Sequence, residues 1–277
     1  MAELLRYISE GVTLLADPHA AGGVTFAFTE RTGGVSEGDC ASLNLGDACG
    51  DDPASVAENR RRALAAIGAA SCAGALVAPR QVHGDRVVSV RESAGPALEA
   101  SRAAARAGAD AVVCTARDVP VLLCFADCVP VVVCAPGGFA VAHSGWRGTV
   151  AGIAGKAAGA LMRETGAAAD ELDVYIGPHV GASDYEVSPE LAERFRGLFG
   201  DGSVAGERNL DLAFCVRASL EMAGVPAGRI ACCDDSTASH TDRFFSYRAE
   251  NGRTGRHAAV AVMSSGDAPA WEPRPLS

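Results

Sequence analysis

The most apolar part of the chain lies between residues 119 and 148, where hydrophobic positions form three short runs broken by Pro and Gly. These runs, all rich in β-branched residues, cover residues 121–125, 129–134 and 139–143. Runs of this length and composition are typical of buried strands. Asp127 and Cys128 lie in the first break, and His143 ends the third run. The pattern predicts an apolar sheet that presents reactive side chains at the ends of its strands.

Elsewhere, short apolar runs alternate with segments in which apolar residues recur with the period of a helix, and these segments begin at residues that favour helix starts. Further strands are predicted at residues 23–29, 75–79, 87–90, 111–114, 173–176, 244–248 and 257–263, with a short one starting at Ile230. Helices are predicted at residues 53–67, 149–165, 189–199 and 211–223, with a surface helix or loop at 92–109. Several strands follow one another without a helix between them, which disfavours a purely parallel sheet. We therefore predict a single α/β (α+β) domain over residues 1–277, with mixed sheets, outer helices and a Pro-rich, flexible tail at 268–277.

The composition allows a full core, since 48% of the residues are hydrophobic, although only 5% are aromatic. Lys and Arg number 24 against 34 Asp and Glu, which gives a net charge of −10. An acidic chain without a basic block is a poor candidate for binding nucleic acid or an anionic membrane. No apolar run has transmembrane length, and the first residues lack the pattern of a signal peptide. We therefore expect a soluble, cytoplasmic protein.

The chain has ten cysteines, but their positions do not indicate a disulfide framework. Several lie inside predicted strands, among them Cys114, Cys124 and Cys134. In a chain of this length such residues are mostly buried small hydrophobes. There is no Cys-x-x-Cys motif, so neither a zinc ribbon nor a thioredoxin-like site is predicted.

Two of the six histidines stand apart because each follows an apolar run inside a turn-rich segment. They are His83 and His143, and Cys128 lies in a similar break. Two neutral imidazoles and one thiolate suit zinc, which in catalytic sites takes three protein ligands and keeps a fourth position open. The same residues allow a metal-free Cys–His hydrolase with Cys128 as nucleophile. They also allow His83 to be an ordinary loop residue and Cys128 a buried thiol, so the pattern alone leaves three hypotheses open.

Several other chemistries lack their motifs. A multicopper oxidase needs several His-x-His pairs, and none occurs. A zinc nucleobase deaminase of the usual type needs His-x-Glu and Pro-Cys-x-x-Cys, whereas the segment at residues 83–85 gives His-x-Asp. Neither a P-loop nor a dinucleotide-binding fingerprint is present.

Eight short segments, spread over nearly the whole chain, together resemble one family. They are RTGGVS at 31–36, SLNLG at 42–46, QVHG at 81–84, ADCVP at 126–130, HSGWRG at 143–148, IGP at 176–178, YEV at 185–187 and FFSYR at 244–248. The chain resembles the YfiH family, which is also described as multicopper polyphenol oxidoreductase (laccase) or purine nucleoside phosphorylase. Two departures, Ser236-Thr237 in place of Cys-Thr and Ser144 in place of Ala, spare the candidate ligands.

The resemblance implies that His83, Cys128 and His143 hold zinc. It implies a layered α/β/β/α sandwich with mixed sheets, related to the cysteine deamidase toxins. It further implies phosphorolysis of adenosine, inosine, guanosine and methylthioadenosine, together with deamination of adenosine. We therefore expect a zinc-dependent enzyme that acts on small molecules, a purine nucleoside and phosphate, and for which the monomer is favoured. The alternatives are a Cys–His amidase that edits a peptidoglycan precursor and a non-catalytic, zinc-stabilised binding protein.

Further residues gain expected roles from this hypothesis. Zinc lowers the pKa of a bound water toward neutrality, and Asp127 or Asp85 would move the proton. Phosphorolysis requires an anion site, for which Arg147, near a predicted helix start, and Arg248 are the candidates. Asn44, in one of the matching segments, is expected to contact the substrate.

Overall fold

This computed structural model describes residues 2–265 and 271–276. Its strands over these residues are β1 (Leu5–Ser9), β2 (Val12–Ala16), β3 (Val24–Thr29), β4 (Val87–Val90), β5 (Ala111–Cys114), β6 (Val121–Phe125), β7 (Val129–Ala135), β8 (Gly138–Ser144), β9 (Asp173–Ile176), β10 (Val204–Ala205), β11 (Asn209–Leu210), β12 (Ile230–Cys232), β13 (His257–Met263) and β14 (Arg274–Pro275). Its helices are α1 (Pro53–Ala66), α2 (Gly95–Arg106), α3 (Trp146–Val150), α4 (Ile153–Thr165), α5 (Pro189–Phe199) and α6 (Leu212–Met222). None of these helices is long and apolar enough to cross a membrane.

The first sheet, as far as the structure describes it, has six strands in the order β14-β1-β2-β3-β13-β6, and every neighbouring pair is antiparallel. The hydrophobic pattern does not predict β1 and β2. They form a tight hairpin in which Ser9 pairs with Val12. The two loop residues, Glu10 and Gly11, have positive φ angles of 49° and 78°. Positive φ at both central positions suits the twist of an antiparallel pair.

Part of the predicted C-terminal tail belongs to this sheet. Arg274 pairs with Ile8 of β1. The Trp271 ring lies 6.5 Å from that of Tyr7, and its Nε1 donates a hydrogen bond to the carbonyl of Ala66 at 2.8 Å. Residues 266–270 and 277, which include the start of the predicted tail, lie outside the described residues.

The second sheet is mixed, with the order β12-β9-β7-β8-β5-β4 in the described part of the chain. Its two outer pairs, β12–β9 and β5–β4, are parallel, and its inner pairs are antiparallel. Strands β7 and β8 form a central hairpin in which every residue is buried. Both faces of this sheet are covered, which explains why its strands read as continuous apolar runs.

Three hydrophobic clusters hold the sheets and helices of the fold together. The first lies between the two sheets and includes Phe26 of β3 and Val132 of β7. A second cluster, which includes Leu64, joins the outer face of the first sheet to α1. A third cluster, which includes Leu161, joins the outer face of the second sheet to α4, α5 and α6. The chain is therefore a mixed α+β protein with two packed sheets and helices on both outer faces, as the interleaved pattern predicts.

Three helices begin at a residue whose side chain caps the first turn. Asp52, Ser188 and Asp211 each accept a hydrogen bond from a backbone N–H in the first turn of α1, α5 and α6. Such caps satisfy amides that have no partner within the helix.

Three predicted elements are wrong. The helix at 149–165 is two helices, α3 and α4, because Gly152 between them has a left-handed φ of 74°. Residues 75–79 form no strand, and Val77 makes only an isolated bridge to Val121. Residues 244–248 form no strand, and the apolar character of Phe244 and Phe245 reflects two fully buried rings outside any sheet.

Candidate metal centre

Three candidate ligands that are separated in the sequence meet at one edge of the mixed sheet. His83 precedes β4, Cys128 immediately precedes β7, and His143 lies near the end of β8. The register of the hairpin pairs Pro130 with His143, which brings the imidazole next to Cys128. One nitrogen of each histidine and the Sγ of Cys128 all lie within 4.8 Å of one another. The structure thus brings together all three residues predicted to bind metal.

The cluster has a buried side and an open side. His143 is buried, Cys128 is half-buried and His83 is exposed. The two imidazole rings lie 4.8 Å apart with an interplanar angle of 80°. The cluster is therefore partly exposed on the side of His83, which is compatible with a catalytic metal site that keeps one position open.

A buried carboxylate that the sequence analysis misses lies behind the cluster. Asp110 precedes β5, has no exposed surface, and its Oδ1 lies 2.9 Å from Nδ1 of His143. It also accepts hydrogen bonds from the backbone amides of residues 82–84. The only signal in the sequence is a charged residue at the start of an apolar run, a position where an Asp is buried only if it is paired.

Gly145 leaves the space that the cluster needs. A Cβ at this position would lie 2.9 Å from Cδ2 of His83 and 3.0 Å from Sγ of Cys128. Gly145 is also the N-cap of α3, so the chain turns from strand to helix directly beside the ligands. A side chain here would displace them.

The charges within the cluster shift its pKa values strongly. Burial raises the pKa of Cys128, but the charge of His143 and hydrogen bonds from His143 and His83 outweigh burial and lower this pKa to about 6. Burial lowers the pKa of His143, but Cys128 and Asp110 outweigh burial and hold that pKa above its ordinary value. Both shifts favour a thiolate beside an imidazolium when no metal is bound.

The carboxylate of Asp127 accepts three hydrogen bonds from other parts of the protein. Its Oδ1 accepts hydrogen bonds from the hydroxyls of Thr237 and Ser246, both at 2.7 Å, and its Oδ2 accepts one from the backbone amide of Arg248 at 2.6 Å. Asp127 itself has a left-handed φ of 87°. It adjoins Cys128 and anchors the segment at 237–248 to the turn between β6 and β7.

Arg248 and Tyr185 lie on the same side of Cys128 as Asp127. The Arg248 guanidinium lies 5.1 Å from the centroid of the Tyr185 ring and donates to the carbonyl of Glu186 at 3.0 Å. Burial, followed by the charge of Cys128, raises the pKa of Tyr185 to about 12. Tyr185 lies in a segment that carries the family resemblance, although its position in the sequence predicts no role for it.

Arg147 is exposed, and its guanidinium lies 4.5 Å from the centroid of the Trp146 ring. It belongs to α3, which has only five residues, so the predicted helix N-terminus adds little to an anion site there. Stacking on Trp146 leaves the cation accessible to solvent.

Two other predicted site residues, Asn44 and Asp85, bond to other parts of the protein. Asn44 is fully buried, and both ends of its amide hydrogen-bond within the protein, to Gly46, Asp51 and the amide of Arg256. These bonds use the donors and acceptors of the amide for contacts within the protein, and a substrate contact at Asn44 stays a prediction. Asp85 is exposed and forms an ion pair with Lys156.

The described residues contain no second group of three His, Cys, Asp or Glu side chains close enough to hold a metal ion. All ten cysteines are free thiols. Burial raises the pKa of the other nine, which are Cys40, Cys49, Cys72, Cys114, Cys124, Cys134, Cys215, Cys232 and Cys233.

Fold and site together define a class, an α+β protein with an open His–Cys–His centre at the edge of a mixed sheet. Residues 25–264 match the family model described as Multi-copper polyphenol oxidoreductase laccase. The chain therefore belongs to this family, to which the segments in its sequence also pointed.

Two relatives are similar over nearly their whole length. Purine nucleoside phosphorylase YlmD of Geobacillus stearothermophilus is 34% identical over 268 residues, covering 94% of this chain and 97% of the relative. A purine nucleoside phosphorylase of Deinococcus radiodurans is 38% identical over 260 residues, covering 90% and 92%.

Solved structures agree with the fold. The crystal structure of YlmD from Geobacillus stearothermophilus superposes with a TM-score of 0.83 at 31% identity, covering 95% of this chain and all of the other. The hypothetical protein YfiH of Bacillus licheniformis gives a TM-score of 0.79 at 29% identity, covering 92% and 97%.

Proposed function

We propose that this protein is a cytoplasmic, zinc-dependent enzyme that cleaves purine nucleosides with phosphate and also deaminates adenosine. The proposed substrates of phosphorolysis are adenosine, inosine, guanosine and methylthioadenosine. The observation that carries the proposal is the convergence of His83, Cys128 and His143 within 4.8 Å at an open edge of the fold. Relatives named purine nucleoside phosphorylase, at 34% and 38% identity, support the choice of substrate.

The donor set fits zinc. Two imidazole nitrogens and one thiolate are ligands that zinc prefers, at about 2.0–2.1 Å to nitrogen and about 2.3 Å to sulfur. The contact between Asp110 and Nδ1 of His143 leaves Nε2 of that ring for the metal. When bound, zinc supplies a Lewis-acidic position that polarises a substrate group or lowers the pKa of water.

Phosphorolysis makes a bond between a phosphate oxygen and C1′ of the ribose while the bond from C1′ to N9 of the base breaks. The electron pair leaves with the base, which takes up a proton. Arg147 and Arg248 are the proposed phosphate ligands, since the guanidinium fork matches two phosphate oxygens. Tyr185, beneath the guanidinium of Arg248, offers an aromatic surface for the purine.

Deamination replaces the amino group at purine C6 with oxygen from water and releases ammonia. It needs a group that accepts and returns a proton. We assign this role to Asp127 in preference to Asp85, because Asp127 adjoins Cys128 and its Oδ2 accepts one hydrogen bond, which leaves a lone pair for a proton, whereas Asp85 is paired with Lys156 on the surface.

The proposal is tested with zinc-loaded protein and inosine, with and without phosphate. Hypoxanthine and ribose 1-phosphate should appear only when phosphate is present, and ammonia should appear with adenosine. Arg147→Ala and Arg248→Ala should raise the KM for phosphate, whereas Arg91→Ala, which removes a surface ion pair with Glu164, should not. Failure of zinc-loaded protein to release base from any of the four nucleosides would refute phosphorolysis.

One observation favours a second candidate function, a Cys–His amidase acting on a peptidoglycan precursor. Cys128, His143 and Asp110 form a chain of contacts in which a thiolate faces an imidazolium held by a carboxylate. This is the arrangement of a cysteine nucleophile with its base and orienting acid. The two functions separate on removal of metal with a chelator, since the amidase retains its activity and the zinc enzyme loses it.

A further inference from the structure

The side chain of Asp110 contacts the segments that supply two of the three candidate metal ligands. Its Oδ1 accepts a hydrogen bond from the backbone amide of His83 at 2.9 Å and lies 2.9 Å from Nδ1 of His143. Its Oδ2 accepts one from the amide of Gly84 at 2.7 Å, and the amide of Val82 lies 3.2 Å from both oxygens. A single buried carboxylate therefore joins the loop of His83 to strand β8.

The loop at 82–84 depends on these contacts for its shape. It lies outside any helix or strand, and His83 has a left-handed φ of 58°. Such a φ is uncommon for a residue other than glycine and persists where the surroundings impose it. Three successive amides that converge on one carboxylate provide that constraint here.

The main chain of Asp110 reinforces the link. Its carbonyl accepts a hydrogen bond from the amide of His143 at 2.7 Å. Asp110 is thus hydrogen-bonded to both the main chain and the ring of His143. The residue that pairs with the strand therefore also fixes the orientation of the ring. An Nδ1–H that donates to Asp110 leaves the lone pair of Nε2 free to face Cys128.

We propose that Asp110 is the positioning residue of the metal centre, which orients the His143 ring and holds the His83 loop so that both imidazoles present a lone pair to one ion. This inference rests on the metal binding in the proposed function and holds for any reaction catalysed there. An Asp with a purely structural role would stabilise the fold without altering metal affinity.

Asparagine at position 110 discriminates between these roles because it keeps the size of the side chain but exchanges one acceptor for a donor. If its NH₂ group replaces Oδ2, it faces the amide of Gly84, donor against donor. If it replaces Oδ1, it opposes the amide of His83 and donates to Nδ1 of His143. The second orientation moves the ring proton to Nε2 and removes the lone pair that binds metal.

The experiment compares Asp110→Asn with Asp17→Asn. Asp17 is also buried and accepts hydrogen bonds from the amides of Glu3 and His19 and from the hydroxyl of Tyr175, so its loss is a matched perturbation away from the ligands. Zinc affinity is measured by competition with a chromophoric chelator, and folding by thermal melting. Asp110→Asn should bind zinc about 10- to 100-fold more weakly, and Asp17→Asn should bind it as wild type does. Equal zinc affinity in a folded Asp110→Asn protein would overturn the proposal.

A measurement on wild-type protein keeps the test decisive if Asp110→Asn does not fold. Nitrogen-15 spectra of zinc-loaded protein labelled in histidine report which ring nitrogen of each residue carries the proton. His143 should be protonated on Nδ1, and a proton on Nε2 would contradict the proposal. Zinc affinity and nucleoside turnover are separate readouts, so loss of zinc with Asp110→Asn supports the inference even if the protein cleaves no nucleoside.

Discussion

Cys128 differs from the other nine cysteines in the direction in which its surroundings shift the thiol pKa. Burial raises the pKa of Cys124 and of Cys232 to about 11, whereas the two histidines outweigh burial at Cys128. The thiolate is the form that binds a metal ion or attacks a carbonyl carbon. Both candidate functions therefore depend on this one residue.

Cys128→Ala should abolish turnover and leave the fold intact, because the substitution removes one small, half-buried group. Zinc content then separates the candidate functions, since a metal ligand takes the ion with it when lost, whereas a nucleophile does not. The measurements are thermal melting, bound zinc and conversion of inosine. Cys232→Ala, at another half-buried cysteine, is the control and should behave as wild type. A folded Cys128→Ala protein that converts nucleosides at the wild-type rate would exclude the site assignment.

The hydrophobic pattern singles out His83, Cys128 and His143 because each adjoins an apolar run, and the family resemblance then implies that these three residues bind metal. It does not predict Asp110, because the role of that residue arises from a loop 26 positions earlier in the chain. Nor does it predict the burial of Asn44, since membership in a matching segment does not distinguish a substrate contact from a buried hydrogen-bonding hub.

Among the elements, the strands of the central hairpin and the capped helices are predictable because their signals are local. The predicted strand at 244–248 fails for a different reason. The rings of Phe244 and Phe245 are buried by the tertiary fold, and an apolar run shows burial without showing a β-ladder. The break at Gly152 is hidden in the same way, since a glycine within a run of small residues fits both a helix interior and a helix boundary.

The junction of β8 and α3 provides a prediction at this scale. Gly145→Ala should weaken zinc binding, because the added Cβ would approach Cys128 Sγ and the His83 ring to 3.0 Å or less. Overpacking of this kind costs about 1–3 kcal/mol, and the exposed His83 side can yield to relieve it. The measurement is chelator competition beside a melting curve.

Gly197→Ala is the matched control, because a Cβ there meets no atom within 4 Å and the position lies inside α5. It should leave zinc affinity unchanged and preserve stability or raise it slightly. Unchanged zinc affinity in Gly145→Ala would mean that the space beside the ligands is not needed for the ion.

For the whole molecule, the family description mentions several coppers, but the described residues offer one cluster of candidate ligands, enough for one ion. The described residues contain a single cluster of three candidate ligands, and the sequence has six histidines with no His-x-His pair. A type 1 copper with a trinuclear cluster requires many more imidazoles. Elemental analysis of purified protein should therefore find about one zinc per chain, with no oxygen consumption on phenolic substrates. Several bound coppers together with four-electron reduction of oxygen would show this expectation to be wrong.

The uniform burial of the β7–β8 hairpin has a consequence for how its strands align during folding. Burial alone gives alternative strand registers similar stability, because a shift by two residues keeps every side chain on its own face of an apolar hairpin. Such a shift would move His143 about 7 Å along β7, away from Cys128. An ion held by both residues therefore stabilises one alignment over its neighbours. Metal binding would then favour the observed strand register over its alternatives, in addition to any role in catalysis.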